Sequence, residues 1–167
     1  FMASGYDLGD ESIWKKEVHE EDESESDEGD ESESSKKLVG EELDDAIYEV
    51  VQDGNVSGLR ELLETYDDVT ERDIDRDGMK ALHIAARYGH IDVSKLLIEY
   101  GADVDRDENL HVASELGHVE IAKLLIQNGA DVNAVDEYDQ TSLHITAKYG
   151  HVDVAKLLIQ NGADVNA

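Results

Sequence analysis

Two stretches of this chain, Val119–Ala134 (VEIAKLLIQNGADVNA) and Val152–Ala167 (VDVAKLLIQNGADVNA), lie 33 residues apart and differ at two of sixteen positions. Self-similarity at this period marks a stacked repeat architecture, in which one copy alone cannot bury its apolar face. Stacking produces a quasi-one-dimensional solenoid with a long side surface. Such a surface favours binding as the function.

Fainter copies precede the pair. Leu43, Ala46, Ile47, Val50 and Val51 recur at helical spacing, Gly54-Asn55 breaks the pattern, and Val56, Leu59, Leu62 and Leu63 form a second apolar face. The same helix–turn–helix unit returns as Ala81–Tyr88, Gly89-His90 and Ile91–Tyr100. It returns again as Leu110–Leu116, Gly117-His118 and Val119–Asn128, then as Leu143–Tyr149, Gly150-His151 and Val152–Asn161. Gly101, Gly129 and Gly162 follow the second helices, where glycine suits a left-handed cap.

The net charge is −28, which repels nucleic acid and anionic membranes and attracts basic partners. Residues 1–37 carry −10 of it, and the remaining −18 lies in residues 38–167. Glu17–Ser35 holds eleven carboxylates, five serines, one Val and no Lys or Arg. That segment cannot offset chain entropy and is expected to be a disordered acidic arm. Phe1 ahead of Met2 has the look of an added residue. The chain has no Cys, which excludes disulfides and cysteine chemistry and suits a reducing compartment. No apolar run is long enough to span a membrane, and the acidic N-terminus is unlike a signal peptide.

The repeats resemble the ankyrin family from about Leu43 to Ala167. The residues that carry the resemblance are Leu-His at 82–83, 110–111 and 143–144, the three Gly-His pairs, and Gly-Ala-Asp-Val at 101–104, 129–132 and 162–165. The resemblance implies an all-α ankyrin-repeat solenoid whose L-shaped units pair two antiparallel helices with a β-hairpin-like finger. The expected organisation is an arm over 1–37 and a repeat domain over 38–167. The cap repeat covers about 43–74, and the others about 75–106, 107–134 and 135–167.

Departures from the family pattern carry information. Its Thr-Pro-Leu-His start becomes Lys80-Ala81-Leu82-His83, Glu108-Asn109-Leu110-His111 and Thr141-Ser142-Leu143-His144, all without the Pro that presets a first helical turn. Helix initiation should be modestly weaker. The first copy has Tyr66-Asp67-Asp68-Val69 in place of Gly-Ala-Asp-Val, and Asp44, Asp45, Glu49 and Glu61 suit a cap facing water. Val132 to Leu143 spans 11 positions, but Val104 to Leu110 spans 6. Either the third finger is truncated, or five of its residues are absent from this sequence. The notch a true truncation would leave favours the second. The stop at Asn166-Ala167 suggests a fragment of a longer array, with Val154, Leu157 and Leu158 less covered than their counterparts. End-to-end association through that face is the alternative to a monomer.

Six of the seven histidines recur with the repeats, so they are read as structural. In the ankyrin family such histidines tie helix starts and turns to neighbouring backbone. Zinc ligands must converge within about 2 Å of the ion, whereas stacked repeats hold equivalent residues about 10 Å apart. No phosphate-binding loop, catalytic triad motif or tuned carboxyl pair stands out. Neither enzymatic activity nor a metal or cofactor is expected.

In ankyrin proteins the residues just before the Gly-His turn line a concave groove. Carried over, these are Gln52 and Asp53, Arg87 and Tyr88, Glu115 and Leu116, and Lys148 and Tyr149. Aromatic and Arg residues are enriched at binding hot spots. Finger residues Arg76, Asp77, Met79, Glu137, Tyr138 and Gln140 would extend the surface. The expected function is an adaptor or inhibitor that binds another protein, one bearing a basic segment, in cytoplasm, nucleus or both. No nucleic acid or membrane partner is expected. The alternatives are an acidic, chaperone-like binder that uses the arm, and a regulatory ankyrin segment of a larger protein. Ser24, with Asp27 three residues on, fits acid-directed kinases, and Ser26, Ser32, Ser34 and Ser35 share its acidic field. Asn133 and Asn166 resemble asparagine-hydroxylation sites of ankyrin repeats.

Overall fold

The computed structural model describes residues 37–75 and 77–167. The expected arm and its serines lie outside the described residues, save Lys37, and so does Arg76. Val39–Ala167 forms one compact unit.

Eight α-helices are found among the described residues: α1 Glu41–Gln52, α2 Val56–Thr65, α3 Ala81–Tyr88, α4 Ile91–Glu99, α5 Asn109–Leu116, α6 Val119–Gln127, α7 Ser142–Tyr149 and α8 Val152–Gln160. The second helices of the last three repeats end one residue short of the apolar pattern, and Tyr100, Asn128 and Asn161 serve as caps. Within each repeat the two helices pack together. Across repeats α1, α3, α5 and α7 form one row, and α2, α4, α6 and α8 the other. Val39–Ala167 is therefore an all-α solenoid. Among the described residues, β-type pairing is confined to Val135 with Thr141 at the base of the last finger.

The core is built from one face of each helix. Leu43, Ile47 and Val51 of α1 sit four residues apart and are all buried. Alanines fill the contact between first helices: Ala85, Ala86 and Ala113 are fully buried and let the backbones approach closely. Burying each leucine or isoleucine contributes on the order of 1.5–3 kcal/mol.

Helix starts replace the missing Pro in different ways. Thr141 accepts from the His144 backbone N–H while His144 Nδ1 accepts from the Thr141 N–H, a reciprocal capping box. Asn55 accepts from Gly58 N–H at 2.9 Å ahead of α2. Lys80, ahead of α3, offers no side-chain cap. Its buried ammonium instead bonds Asp73 at 2.7 Å and the Glu71 carbonyl. The ammonium holds the Asp73 carboxyl below its usual range.

Asparagine and aspartate build the loops. Asp75 Oδ1 accepts from the N–H groups of Asp77 and Met79, and Asp136 Oδ1 from those of Tyr138 and Gln140, which folds each finger tip. Between repeats, Asp105 Oδ1 accepts from Asp131 N–H, and Asn133 Oδ1 accepts from Asp164 N–H, both at 2.8 Å. In the cap repeat Arg72 clamps Asp44 of α1 at 2.6 Å and Asp68 at 2.7 Å.

The third repeat closes its short connection through a single turn of 3-10 helix, Arg106–Glu108. Two features mark the tightness. Glu108 adopts φ +54, a left-handed conformation costing a non-glycine residue roughly 1 kcal/mol. Asn109 is buried where its counterparts are Ala81 and Ser142, and its amide donates to the carbonyls of Asp103, Val104 and Arg106. A notch remains beside it, a cavity of about 70 Å³.

The open end differs from the sequence expectation. Val154 and Leu158 are fully buried where α8 packs against α7 and α6. Leu157 is half-buried, as is its counterpart Leu124. The uncovered residues are those that would pack on a following repeat: Val152, Ile159 and Val165 are exposed, whereas Val119, Ile126 and Val132 are half-buried. His144 is exposed where His111 is buried, for the same reason.

Candidate functional site

The Gly-His turns place the candidate contact row. Gly54, Gly89, Gly117 and Gly150 all have φ between +70 and +78 and end the first helices. His90 Nε2 lies 2.7 Å from the Gln52 carbonyl, His118 Nε2 3.3 Å from that of Arg87, and His151 Nε2 2.7 Å from that of Glu115. Each ring thus bonds the previous repeat two residues before its glycine. A Cβ on that glycine would stand 2.6–3.0 Å from the ring. Glycine serves here twice, for its backbone conformation and for the room it leaves.

This arrangement presents the residue before each glycine outward. Tyr88, Leu116 and Tyr149 are 43%, 44% and 47% exposed, large apolar side chains in one row at successive repeats. Arg87, Glu115, Lys148 and Asp53 beside them are exposed too. The tyrosines do not dangle freely. Tyr88 lies parallel to His90 with centroids 6.3 Å apart, and Tyr149 to His151 at 6.5 Å. Lys148 Nζ sits 5.2 Å over the Tyr149 ring, a cation–π contact. Pre-positioned aromatic rings lose little entropy when a partner covers them.

Tyr48 is a member of this surface that sequence reasoning passed over. The neighbouring Tyr88 hydroxyl raises the Tyr48 phenol above its ordinary pKa. The signal was available: Tyr48 follows Ile47 where His83 follows Leu82.

Finger residues frame the row unevenly. Tyr138 is 73% exposed, Asp77 and Glu137 are exposed, and Met79 and Gln140 are half-buried. A hydrogen bond to Glu137 raises the Tyr138 phenol. The finger edge is acidic, with Asp73, Asp75, Asp77, Asp103, Asp105, Glu108, Asp136, Glu137 and Asp139 in its loops. The neighbouring cations Arg72, Lys80 and Arg106 are already paired with Asp44 and Asp68, Asp73, and Glu71.

Asn133 is engaged at both ends of its amide: Nδ2 donates to the Gly162 carbonyl at 3.2 Å and Oδ1 accepts from Asp164 N–H. Asn166 is exposed, and its backbone N–H donates to Asp164. Among the described residues no group of three His, Asp or Glu side chains is placed to hold a metal ion, and no helix is long and apolar enough to cross a membrane.

The family model for ankyrin repeats (three copies) matches residues 26–108 and 106–167. The chain belongs to the ankyrin repeat family. No curated protein matches it. Ankyrin repeats are in general protein–protein interaction modules and typically non-enzymatic. In this ankyrin domain the Gly-His turns hold Tyr88, Leu116 and Tyr149 exposed at successive repeats.

Proposed function

We propose that this ankyrin domain is a non-enzymatic adaptor or inhibitor that grips a basic segment of a partner protein. The exposed row of Tyr88, Leu116 and Tyr149 carries the reading. The row supplies apolar anchors, and the acidic finger edge beside it supplies steering and selects for Lys and Arg. Asp53, Arg87, Glu115, Lys148, Met79 and Tyr138 complete the contact surface. Cytoplasm or nucleus would suit such a module. Phosphate on Ser24, Ser26 or Ser32 would add negative charge and strengthen attraction to a basic partner.

Tyr88→Ala with Tyr149→Ala is expected to abolish capture of the partner purified from the source cell, with the far-ultraviolet helical signal unchanged. Undiminished affinity in the double variant would refute the assignment. The eleven carboxylates of Glu17–Ser35 support a second reading, in which the arm captures basic proteins in a chaperone-like manner. Deleting residues 1–37 separates the two: retained affinity favours the row, and lost affinity the arm.

A further inference from the structure

Beside the exposed row runs a line of charges, one per repeat: Arg87, Glu115 and Lys148, each two positions before a turn glycine and each exposed. The signs alternate, plus, minus, plus. None of the three is in an ion pair among the described residues, although Arg72, Lys80 and Arg106 of the same domain all are. Opposite charges in neighbouring repeats therefore lie too far apart to satisfy one another and are left for an occupant. A second copy of the chain does not complete the pattern. A two-fold axis through Glu115 would set that carboxylate on its own copy and Arg87 on Lys148.

The spacing of the row selects the backbone of that occupant. Helices α3, α5 and α7 pack directly on one another, and packed helices lie about 8–10 Å apart. The buried Ala85, Ala86 and Ala113 between them favour the short end of that range. A β-strand covers about 10 Å in three residues, but residues three apart point to opposite faces. An α-helix returns to one face after seven residues and about 10.5 Å, so it outruns the row at each step. Its backbone groups are also already bonded. A polyproline II segment returns to one face every three residues, about 9 Å, and its carbonyls are unbonded. The hydroxyls of Tyr88 and Tyr149 are donors of the kind those carbonyls need, and such segments dock on aromatic surfaces.

We propose that the row receives an extended polyproline II segment of a partner protein in a three-residue register. Apolar residues three apart lie on Tyr88, Leu116 and Tyr149. The residues beside them are acidic, basic and acidic, opposite Arg87, Glu115 and Lys148. The inference rests on the reading of the row as the contact surface, and it adds a conformation, a spacing and an order of charge. That order is the same in both chain directions. The third residue of each triplet is left for the Lys and Arg that the acidic finger edge attracts.

The probe is a dye-labelled peptide of three triplets, Leu-Glu-Pro, Leu-Lys-Pro and Leu-Glu-Pro, titrated with the full chain and followed by fluorescence anisotropy. Saturable binding is expected. A second peptide reverses the charges to Lys, Glu and Lys and should bind about tenfold more weakly. General attraction to a chain of net charge −28 predicts the opposite preference, because the reversed peptide is the more positive one. Arg87→Glu, Glu115→Lys and Lys148→Glu together should invert the preference, with the far-ultraviolet helical signal unchanged. If that variant unfolds, Glu115→Lys alone serves and should narrow the preference severalfold. A preference for the reversed peptide in the wild type, or no inversion in the variant, would overturn the charge order. Tighter binding of a helical peptide with leucines seven apart would overturn the conformation, and absence of saturable binding by the first peptide would overturn the register. Partner capture that still depends on Tyr88 and Tyr149 while the peptides fail would leave the row standing without this register, so the two readings fail separately.

Discussion

His151 Nε2 stands 2.7 Å from the carbonyl oxygen of Glu115, a residue 36 positions earlier in the chain. This bond joins the last two repeats through the same turn that presents Leu116. Scaffold and exposed row are therefore one structure here, and a change that loosens the turn also displaces the row.

Replacing Gly117 with Ala should be among the costliest small changes in the domain. Its Cβ would meet His151 Nδ1 at 2.6 Å, at a φ of +73. The backbone strain costs about 1 kcal/mol, and displacing the half-buried ring from its bond costs about 1 kcal/mol more. Gly150→Ala has the same φ class, and nothing lies within 4 Å of the added carbon. It should lose only the strain, roughly 1 kcal/mol. Urea denaturation of the two variants side by side measures the difference; equal losses would contradict this account of the ring.

Glu108→Gly should stabilise the domain by about 0.5–1 kcal/mol, because glycine adopts φ +54 without the clash that glutamate suffers. Asp139 has a similar φ of +58 in the last finger, where Gly78 occupies the equivalent place in the second repeat. Asp139→Gly should gain less, since aspartate tolerates this region better than glutamate. Thermal unfolding reads both, and a loss of stability in Glu108→Gly would show that its side chain matters more than its backbone.

His111→Ala should destabilise by about 2–3 kcal/mol. The ring is buried and its Nε2 lies 3.1 Å from two carbonyls of the following finger, those of Ala134 and Gln140. Its loss leaves both acceptors unsatisfied and opens a cavity. The exposed counterpart His144 makes only the capping box with Thr141, so His144→Ala should cost about 1 kcal/mol. Comparable losses at the two positions would argue against the inter-repeat role of His111.

The Asp136 carboxyl titrates below the usual aspartate range, chiefly because the Gln140 and Tyr138 N–H groups bond its charged form. A lowered folded pKa contributes stability above the unfolded value, about 4, which disappears as pH falls through the folded value. Asp136→Asn keeps an acceptor for both N–H groups but does not titrate. The advantage of the wild type over this variant should therefore shrink as the pH falls below about 4. Denaturant unfolding across that range tests the sign, and a constant difference would contradict it.

The family, the helix pairs and the exposure of the residues before each Gly-His turn were legible in the sequence, because they rest on local rules. Apolar residues at three- and four-residue spacing mark an amphipathic helix, whose face the neighbouring repeats then bury. Gly-His is informative at short range because the glycine must take a positive φ. The identity of the exposed row followed from its place before that glycine.

Other features depended on residues brought together from distant positions. Nothing near Val154 or Leu158 indicates that they are fully buried and that Val152, Ile159 and Val165 are left uncovered instead. Tyr48 and Tyr88 are 40 positions apart, and only the packing of α1 on α3 brings them together. The notch was visible in the sequence as five absent residues. The burial of Asn109 beside it, with three carbonyls converging on the amide nitrogen, was not. Sequence periodicity thus determined the architecture through nearest-neighbour rules, whereas tertiary packing decided which polar atoms find partners.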